Sequence, residues 1–501
     1  MVRWPYAASQ EGVFQRSPRA RDTVLSDGLP GSTVERVHAS SVEILSEVGF
    51  CVPEPQALSR LEAAGFPVDR RTDMVRITPE LLDEALARLP HDVTLFGRDG
   101  WAGGPARRRP SFMGAGTPVN VLDLHSGERR SATRRDVCDL VRLQDALPEV
   151  DVVRPTVTAT DQGECSDLVE IAELLRHTDK PAVHRVLAAE RVEAAVEMLA
   201  LVAGGEDAFR QRPSFATLYC PISPGYFTQE NVRCMVRWAA HGVPVTLLSM
   251  AMGGASSPAT LLGELVVINT DVLAWIVALQ ILYPGTPLLY GSVSAVLDMR
   301  TGLLPLGAPE RGMINAGAAA MARYYGIPSM CGGFSTDAKT LDAQSGFEKA
   351  LTAFPLLLED ADIIYGVGAI DAGATISYVQ MVLDDEMAAG LRRMMEGIAS
   401  HDLDEEVALI KANTPRGNFL KEGHTRRTFR EHWQPRLLSR DSYETWQAAG
   451  LDIEERCRRK ACDLLGTYRP KRLPGKVEQE LERILRREVG PEFRFEEMGA
   501  G

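Results

Sequence analysis

No two of the eight cysteines form a CxxC pair. Thiols so sparse in a chain of 501 residues argue against a disulfide framework and suit a reducing, cytoplasmic setting. Basic excess is missing as well: the formal net charge is −13. That balance excludes the basic stripe of a nucleic-acid binder, and the Arg107–Arg109 run reads as solvated loop charge. Nine histidines are scattered without ligand spacing, and His184, inside a strand-like run, has no Cys or His partner near it in sequence. The chain is therefore expected to hold no metal. There is no Walker loop, no GxSxG elbow and no HExxH. "GVGAIDAG" has Asp371 where a dinucleotide loop needs its third glycine. "DLHSGE" approaches the DxHxxG clasp of a corrin ring, but Glu128 stands at the glycine position. The Arg-rich N-terminus lacks the apolar stretch of a targeting peptide. The longest apolar run, beginning at Leu261, contains Glu264, Asn269 and Asp271, so it reads as a core helix and not a membrane span.

What is present is a large core and a regular alternation. Apolar residues make up 45% of the chain. Residues 33–65 read as one amphipathic helix, and 79–90 as a second, with Thr78 as N-cap and Pro79 at its first position. A Gly/Pro/Arg-rich patch at 97–110 ends this N-terminal helical module, 1–110. From about 150, seven short β-rich runs each precede a helical stretch: "VDVVRPTVTA", "PAVHRVL", "SFATLYCPI", "PVTLLSMAM", "PLLYGSVSAV", "PSMCGGFS" and "DIIYGVGAI". An earlier strand at "VNVLDLH" would make eight. The pattern predicts an α/β fold, a (β/α)8 TIM-type barrel over 111–400, with an open doubly wound sheet as the alternative. Residues 401–501 read as a C-terminal helical segment packed on the barrel, anchored by Trp433 and Trp446.

Barrel function sits in the loops after the strands. The corner "CGGFSTDAKTLDAQSGFEKA" places Asp337, Lys339, Asp342 and Gln344 together as candidate catalytic residues at the rim. Helix capping by Asp337 or Thr340 is the structural alternative.

Long stretches carry a resemblance. "YGSVSAVLDMRTGLLPLGAPE", the 331–350 corner and "ADIIYGVGAIDAGATISYVQMVLDDE" are similar to the trimethylamine methyltransferase (MttB-like) family, as are "ASSVEILSEVGFCVPEPQALSRLEAAG" and "HTRRTFREHWQPRLLSRDSYETWQAAG". The resemblance covers nearly the whole chain. It implies methyl transfer from a methylamine or quaternary amine to the cobalt of a separate corrinoid-binding protein. Founding members carry pyrrolysine near this corner. Only ordinary residues stand here, with Lys339 or Phe334 at the matching position, so the chain resembles the branch typified by glycine betaine:corrinoid methyltransferase. On that reading it binds no cofactor itself, the corrinoid comes from the partner, and the chain forms a homo-oligomer. A quaternary ammonium needs aromatic walls and carboxylates. Tyr219, Tyr226, Tyr290 and Phe334 are candidate walls, and Asp337 and Asp371 candidate charge partners. Lys339 or Arg300 would meet a betaine carboxylate. The competing readings are another methylamine donor or a tetrahydrofolate acceptor, and a barrel that binds betaines without turnover.

Overall fold

Eight strands, each followed by a helix, build residues 111–396 of the computed structural model. The strands are β1 (Ser111–Gly114), β2 (Val150–Val152), β3 (Ala182–His184), β4 (Phe215–Tyr219), β5 (Val245–Ser249), β6 (Leu288–Ser292), β7 (Ser329–Gly332) and β8 (Ile363–Val367). The helices are α1 (Arg134–Ala146), α2 (Ser166–His177), α3 (Val192–Ala203), α4 (Gln229–Ala240), α5 (Leu261–Leu282), α6 (Pro309–Tyr325), α7 (Ala343–Leu358) and α8 (Tyr378–Glu396). Neighbouring strands pair in parallel, β8 returns to β1, and a single bridge between Val153 and Ala182 joins β2 to β3. Its bonds run from Val153 N to Pro181 O at 2.9 Å and from Val183 N to Val153 O at 3.0 Å. The result is a closed parallel barrel. The structure describes residues 30–91, 93–98, 102–103 and 109–495. The Arg-rich N-terminus, Arg107, Arg108 and much of the 97–110 patch lie outside them.

Prolines mark the strand starts. Pro181, Pro244, Pro287 and Pro328 immediately precede β3, β5, β6 and β7, and each gives the ladder its carbonyl where no N–H is needed. Alternation along the strands then splits the core in two. Phe215, Tyr219, Leu247 and Tyr290 face the helices. Met113, Val152, Val183, Leu218, Leu248, Leu289, Met330 and Ile363 fill the cylinder. Val93 and Leu95 join that inner cluster, and Phe96 N bonds to Pro213 O just before β4. This plugs the amino-terminal end, so a ligand has only the carboxyl-terminal mouth to enter.

The sequence reading needs three corrections here. The eighth barrel strand is Ser111–Gly114, not the run at 119–125. Asn120–Leu122 instead forms a hairpin with Arg129–Ser131 and runs parallel to Thr375–Ser377. "SFMG" is buried throughout, as a strand covered on both faces must be, whereas the exposed arginines of the hairpin could not enter a core. The single helix expected over 33–65 is two, Gly31–Glu47 and Pro55–Ala63. Gly49 breaks it at φ +91°, where a Cβ would clash with Val75 O, and Pro53 and Pro55 follow. Trp433 does pack on α8, at Gly390, but Trp446 remains 43% exposed and anchors nothing; Cys457, Ala461, Leu481 and Ile484 hold the C-terminal helices to the barrel.

Among the described residues α5 is the one helix long and apolar enough to cross a membrane, and most of it is buried in the protein. Beyond its first turn the polar groups are engaged: Asn269 donates to Ser41 Oγ at 2.9 Å, and Asp271 accepts from Ser223 Oγ at 2.6 Å and Gly225 N at 2.7 Å. All eight cysteines are unpaired.

Candidate active site

The corner after β7 is a latch between three loops. Asp337 accepts from Leu306 N (2.7 Å) and Gly307 N (3.1 Å) of the loop after β6. Glu348, in α7, accepts from Thr336 Oγ1, Asp337 N and Gln344 Nε2. The loop after β8 joins through Asp371 N to Ala338 O (2.7 Å) and Ala372 N to Thr336 O (3.0 Å). Lys339 lies 3.5 Å from Asp371 and donates to Asp337 O, with a side chain 71% exposed. So Asp337, Lys339 and Asp371 do meet at the rim. Asp342 is spent elsewhere: it caps α7 through Ser345 N, which neither Asp337 nor Thr340 does. Gln344 sits on the exposed first turn of α7.

Beneath the latch the backbone is strained. Phe334 has φ +53°, and Asp371 and Ala372 have +54° and +49°. Non-glycine residues in this region are held there by their surroundings. The latch bonds hold Asp371 and Ala372, and Lys349 holds Phe334. It is fully buried, and its ammonium bonds Phe334 O (3.1 Å), Gly366 O (3.3 Å) and Asp384 Oδ2 (2.7 Å). Burial pulls the lysine down and pushes the aspartate up, each opposed by the other's charge.

Most of the expected walls do not face the mouth. Tyr219 donates to Val186 O and accepts from Trp238 of α4, and Tyr290 donates to Asn269 of α5. Both occupy outward strand positions, in the helix layer. Phe334 is buried against Phe112 and Lys349. Tyr226, partly exposed, lies in the loop after β4, bridging to Cys51 and Ile222. Arg300 is on an exposed turn beside Asp298. Glu128 and Asp123 close another surface turn, where Asp123 Oδ1 accepts from His125 N and Ser126 N, so "DLHSGE" is a hairpin loop.

The mouth is lined instead by residues that continue the inward rows of the strands. Arg154 and Arg185 follow Val152 and Val183, Cys220 follows Leu218, and Tyr365 follows Ile363. Arg154 stacks 5.3 Å over the Tyr365 ring, and its buried Nε has no hydrogen-bond partner. Arg311 reaches in from α6. Its Nε donates to Ser335 Oγ (3.2 Å) and its Nη1 to Val293 O (2.7 Å), while Nη2 occupies the space a Cβ on Gly332 would need, 2.6 Å away. Among the described residues none of these three arginines has a carboxylate partner. Burial pulls Arg154 below its ordinary range, aided by repulsion from Arg185, and pulls Arg311 down to about 10. A buried cation without a counter-ion is costly, and an anion arriving from outside relieves that cost.

The opposite charge lies beneath the loop after β5. Glu264, in the first turn of α5, is fully buried, and neither carboxylate oxygen has a well-formed hydrogen bond. It lies beside Gly253, where a Cβ would come within 2.8 Å of Oε2. Burial pushes its carboxyl up to about 7, opposed by the Gly253 amide. Around these charges the loops present large exposed apolar side chains: Leu187, Ile222, Met250, Met299, Leu303 and, at the start of α7, Phe347. Apolar surface of this extent marks a face that another molecule covers. Outside the barrel, Cys138, Glu173 and His177 come within 4.8 Å of one another. Glu173 is already paired with Arg134 and Arg176, so a cation has no free charge to meet there.

Known proteins resemble this chain over most of its length. A family model described as trimethylamine methyltransferase (MTTB) matches residues 8–490. The trimethylamine methyltransferase MttB of Desulfitobacterium hafniense is 36% identical over 467 residues, 91% of this chain and 94% of that protein. A glycine betaine methyltransferase from another strain of the same species is 30% identical over 479 residues, 93% of this chain and 98% of that protein. Among solved structures, the Methanosarcina barkeri monomethylamine methyltransferase aligns with a TM-score of 0.48 at 12% identity, over 86% of this chain and 92% of that one.

Proposed function

This chain belongs to the trimethylamine methyltransferase family, and we propose that it takes a methyl group from a carboxylated quaternary amine, a betaine, for delivery to the Co(I) of a separate corrinoid-binding protein. The observation that carries the substrate class is the pair of buried arginines without a carboxylate partner at the mouth, with the buried carboxyl of Glu264 beneath the loop after β5. Arg154 and Arg311 are cations in want of an anion, and Glu264 is a carboxylate in want of a cation. A zwitterion with both ends serves both. Trimethylammonium alone would leave the arginines uncompensated. Pyrrolysine is absent from the chain, and the glycine betaine methyltransferase relative points the same way.

The reduced corrin of the partner supplies the nucleophile. What this chain supplies is position and a dry cavity. Arg154 and Arg311 fix the carboxylate, the Met and Leu floor of the barrel excludes water, and Glu264 balances the ammonium. The nitrogen already carries the charge of a leaving group. When its N–CH3 bond breaks, the electron pair returns to nitrogen and a neutral tertiary amine leaves, so no side chain has to donate a proton. The apolar rim is the docking face for the corrinoid-binding protein, which must dissociate after each transfer; a modest interface suits that.

The experiment combines the protein, a betaine and a reduced corrinoid-binding protein, following the corrin's visible spectrum and the demethylated amine together. Product that depends on the corrinoid protein is expected. Full-rate demethylation without any cobalt species, or with tetrahydrofolate alone, overturns the acceptor. Ligand-induced melting shifts with no product under any acceptor mean a binding barrel without turnover.

Glu264 gives a pH-dependent prediction. Its folded pKa lies above the usual 4.5, so without ligand the folded state loses stability as pH rises from there through about 7. A bound ammonium offsets that loss only where the carboxyl is ionised. The betaine-induced melting shift should therefore be larger at pH 8 than at pH 6, and Glu264→Gln should flatten the difference. An equal shift at both pH values for the native protein removes Glu264 from the site.

A further inference from the structure

The turn after β4 is pinned from two sides. Ile222 N donates to Tyr226 O at 2.7 Å and closes it. Inside the turn, Ser223 Oγ and Gly225 N both donate to Asp271 of α5, at 2.6 and 2.7 Å. Phe227, which follows, packs edge-on against Trp275, four residues further along α5. From the other side Cys51 N, in the short strand Phe50–Cys51, donates to Gly225 O at 2.8 Å. Asp271 also accepts from Ser249 Oγ at 3.2 Å, at the last residue of β5 and just before the exposed Met250. Alternate residues of the segment are thus taken up by the body of the protein, and Ile222, Pro224 and Tyr226 between them are exposed or half-buried.

A carboxylate is a costly means of holding this turn. Asp271 is 1% exposed, and among the described residues no cation pairs with it. Its three partners are neutral, and burial pushes its carboxyl up to about 6, opposed by their hydrogen bonds. Bonds to a carboxylate are stronger than those between neutral groups, so the charge that costs stability also makes the turn rigid. We propose that Asp271 is a positioning residue for the methyl acceptor: by fixing the turn after β4 and the end of β5 together, it keeps Ile222, Pro224, Tyr226 and Met250 in place for the corrinoid-binding protein. The inference rests on the docking face proposed above. A modest, transient interface has little free energy to set against the ordering of loops, so it gains from a rim that is ordered beforehand. Asp271 touches neither substrate nor corrin, and its effect reaches the reaction through the loops alone.

Two variants test this. Asp271→Asn puts an amide donor where the carboxylate had an oxygen, and Ser223→Ala removes one bond while the carboxylate stays. Each should raise KM for the corrinoid-binding protein roughly three- to tenfold, the worth of a hydrogen bond, with kcat at saturating partner unchanged. Methyl transfer to free reduced cobalamin should not change, because a free corrin needs no rim. Amides of residues 222–227 should exchange faster with solvent in Asp271→Asn, and those of β4 and β5 as before. Equal losses with both acceptors, or a native KM in both variants, overturns the proposal. If Asp271→Asn does not fold, Ser223→Ala decides. A native protein that methylates neither acceptor defeats the reading above on its own account. The proposal is then judged by binding of the corrinoid-binding protein without substrate, which both variants should weaken by the same factor; no binding to the native protein, or equal binding to all three, overturns it.

Discussion

Arg154→Gln should lower kcat/KM for a betaine by roughly 30- to 4,000-fold, because truncating a buried, hydrogen-bonded charge pair costs about 2–5 kcal/mol. Arg311→Gln should fall in the same range. Two further readings separate this from simple damage. A quaternary amine without a carboxylate gains nothing from the arginines, so its slow turnover should be unchanged or improved in both variants. Arg154 has an unpartnered Nε and no ion pair among the described residues. Removing its charge should therefore leave the unliganded protein as stable as before or slightly more so, a familiar exchange of stability for activity at binding sites. Arg311 also supports Val293 O, so its variant loses a structural bond in addition. If Arg154→Gln lowers turnover and unfolding midpoint together, and equally for both kinds of amine, the residue is a structural one.

The second large effect is on stability. Lys349→Met strips the cation from a fully buried pair, leaves Asp384 with only Gly368 N and Gln380 Nε2 as partners, and frees the strained Phe334 corner. Breaking such a pair from one side costs about 3–5 kcal/mol. Denaturant unfolding should show the loss, and it should be largely recovered in the double variant Lys349→Met, Asp384→Leu, which removes both charges. Glu348→Gln, in the latch above, gives a contrasting case: it keeps a carbonyl acceptor and should cost far less. A Lys349→Met protein as stable as the native one would mean that water or a rearrangement already compensates the pair.

How much of this could be read in the sequence follows from what each feature depends on. The barrel was legible because β-α alternation is local, and the prolines before β3, β5, β6 and β7 punctuate it. The eighth strand was misplaced because "VNVLDLH" alternates more clearly than "SFMG", and only burial on both faces tells the two apart. The polar corner at 331–350 was found, but its purpose was partly structural: Asp342 turned out to cap, and Glu348 to organise. Tyr219 and Tyr290 were misjudged by parity. They lie on the strand rows that face the helices, and a shift of one residue turns a side chain from cavity to coat. The same parity rule would have found the arginines. In "VDVVRP" and "PAVHRV" each stands two places after an inward valine, where an apolar row reaches the mouth. Arg311 and Glu264 leave no such trace, since helices bring them in and only the fold shows which loops they meet.

The narrow join between β2 and β3 bears on the same arginines. Every other neighbouring pair of strands shares a ladder, whereas this one is fastened by the two hydrogen bonds at Val153. Arg154 and Arg185 stand on its two sides as like charges that repel across the seam, while Lys180, just before β3, donates to Val150 O of β2 at 2.7 Å and ties it. A betaine carboxylate on Arg154, as proposed, would offset that repulsion. Substrate would then act as a rivet in the wall, and the cylinder should be stiffer with it bound.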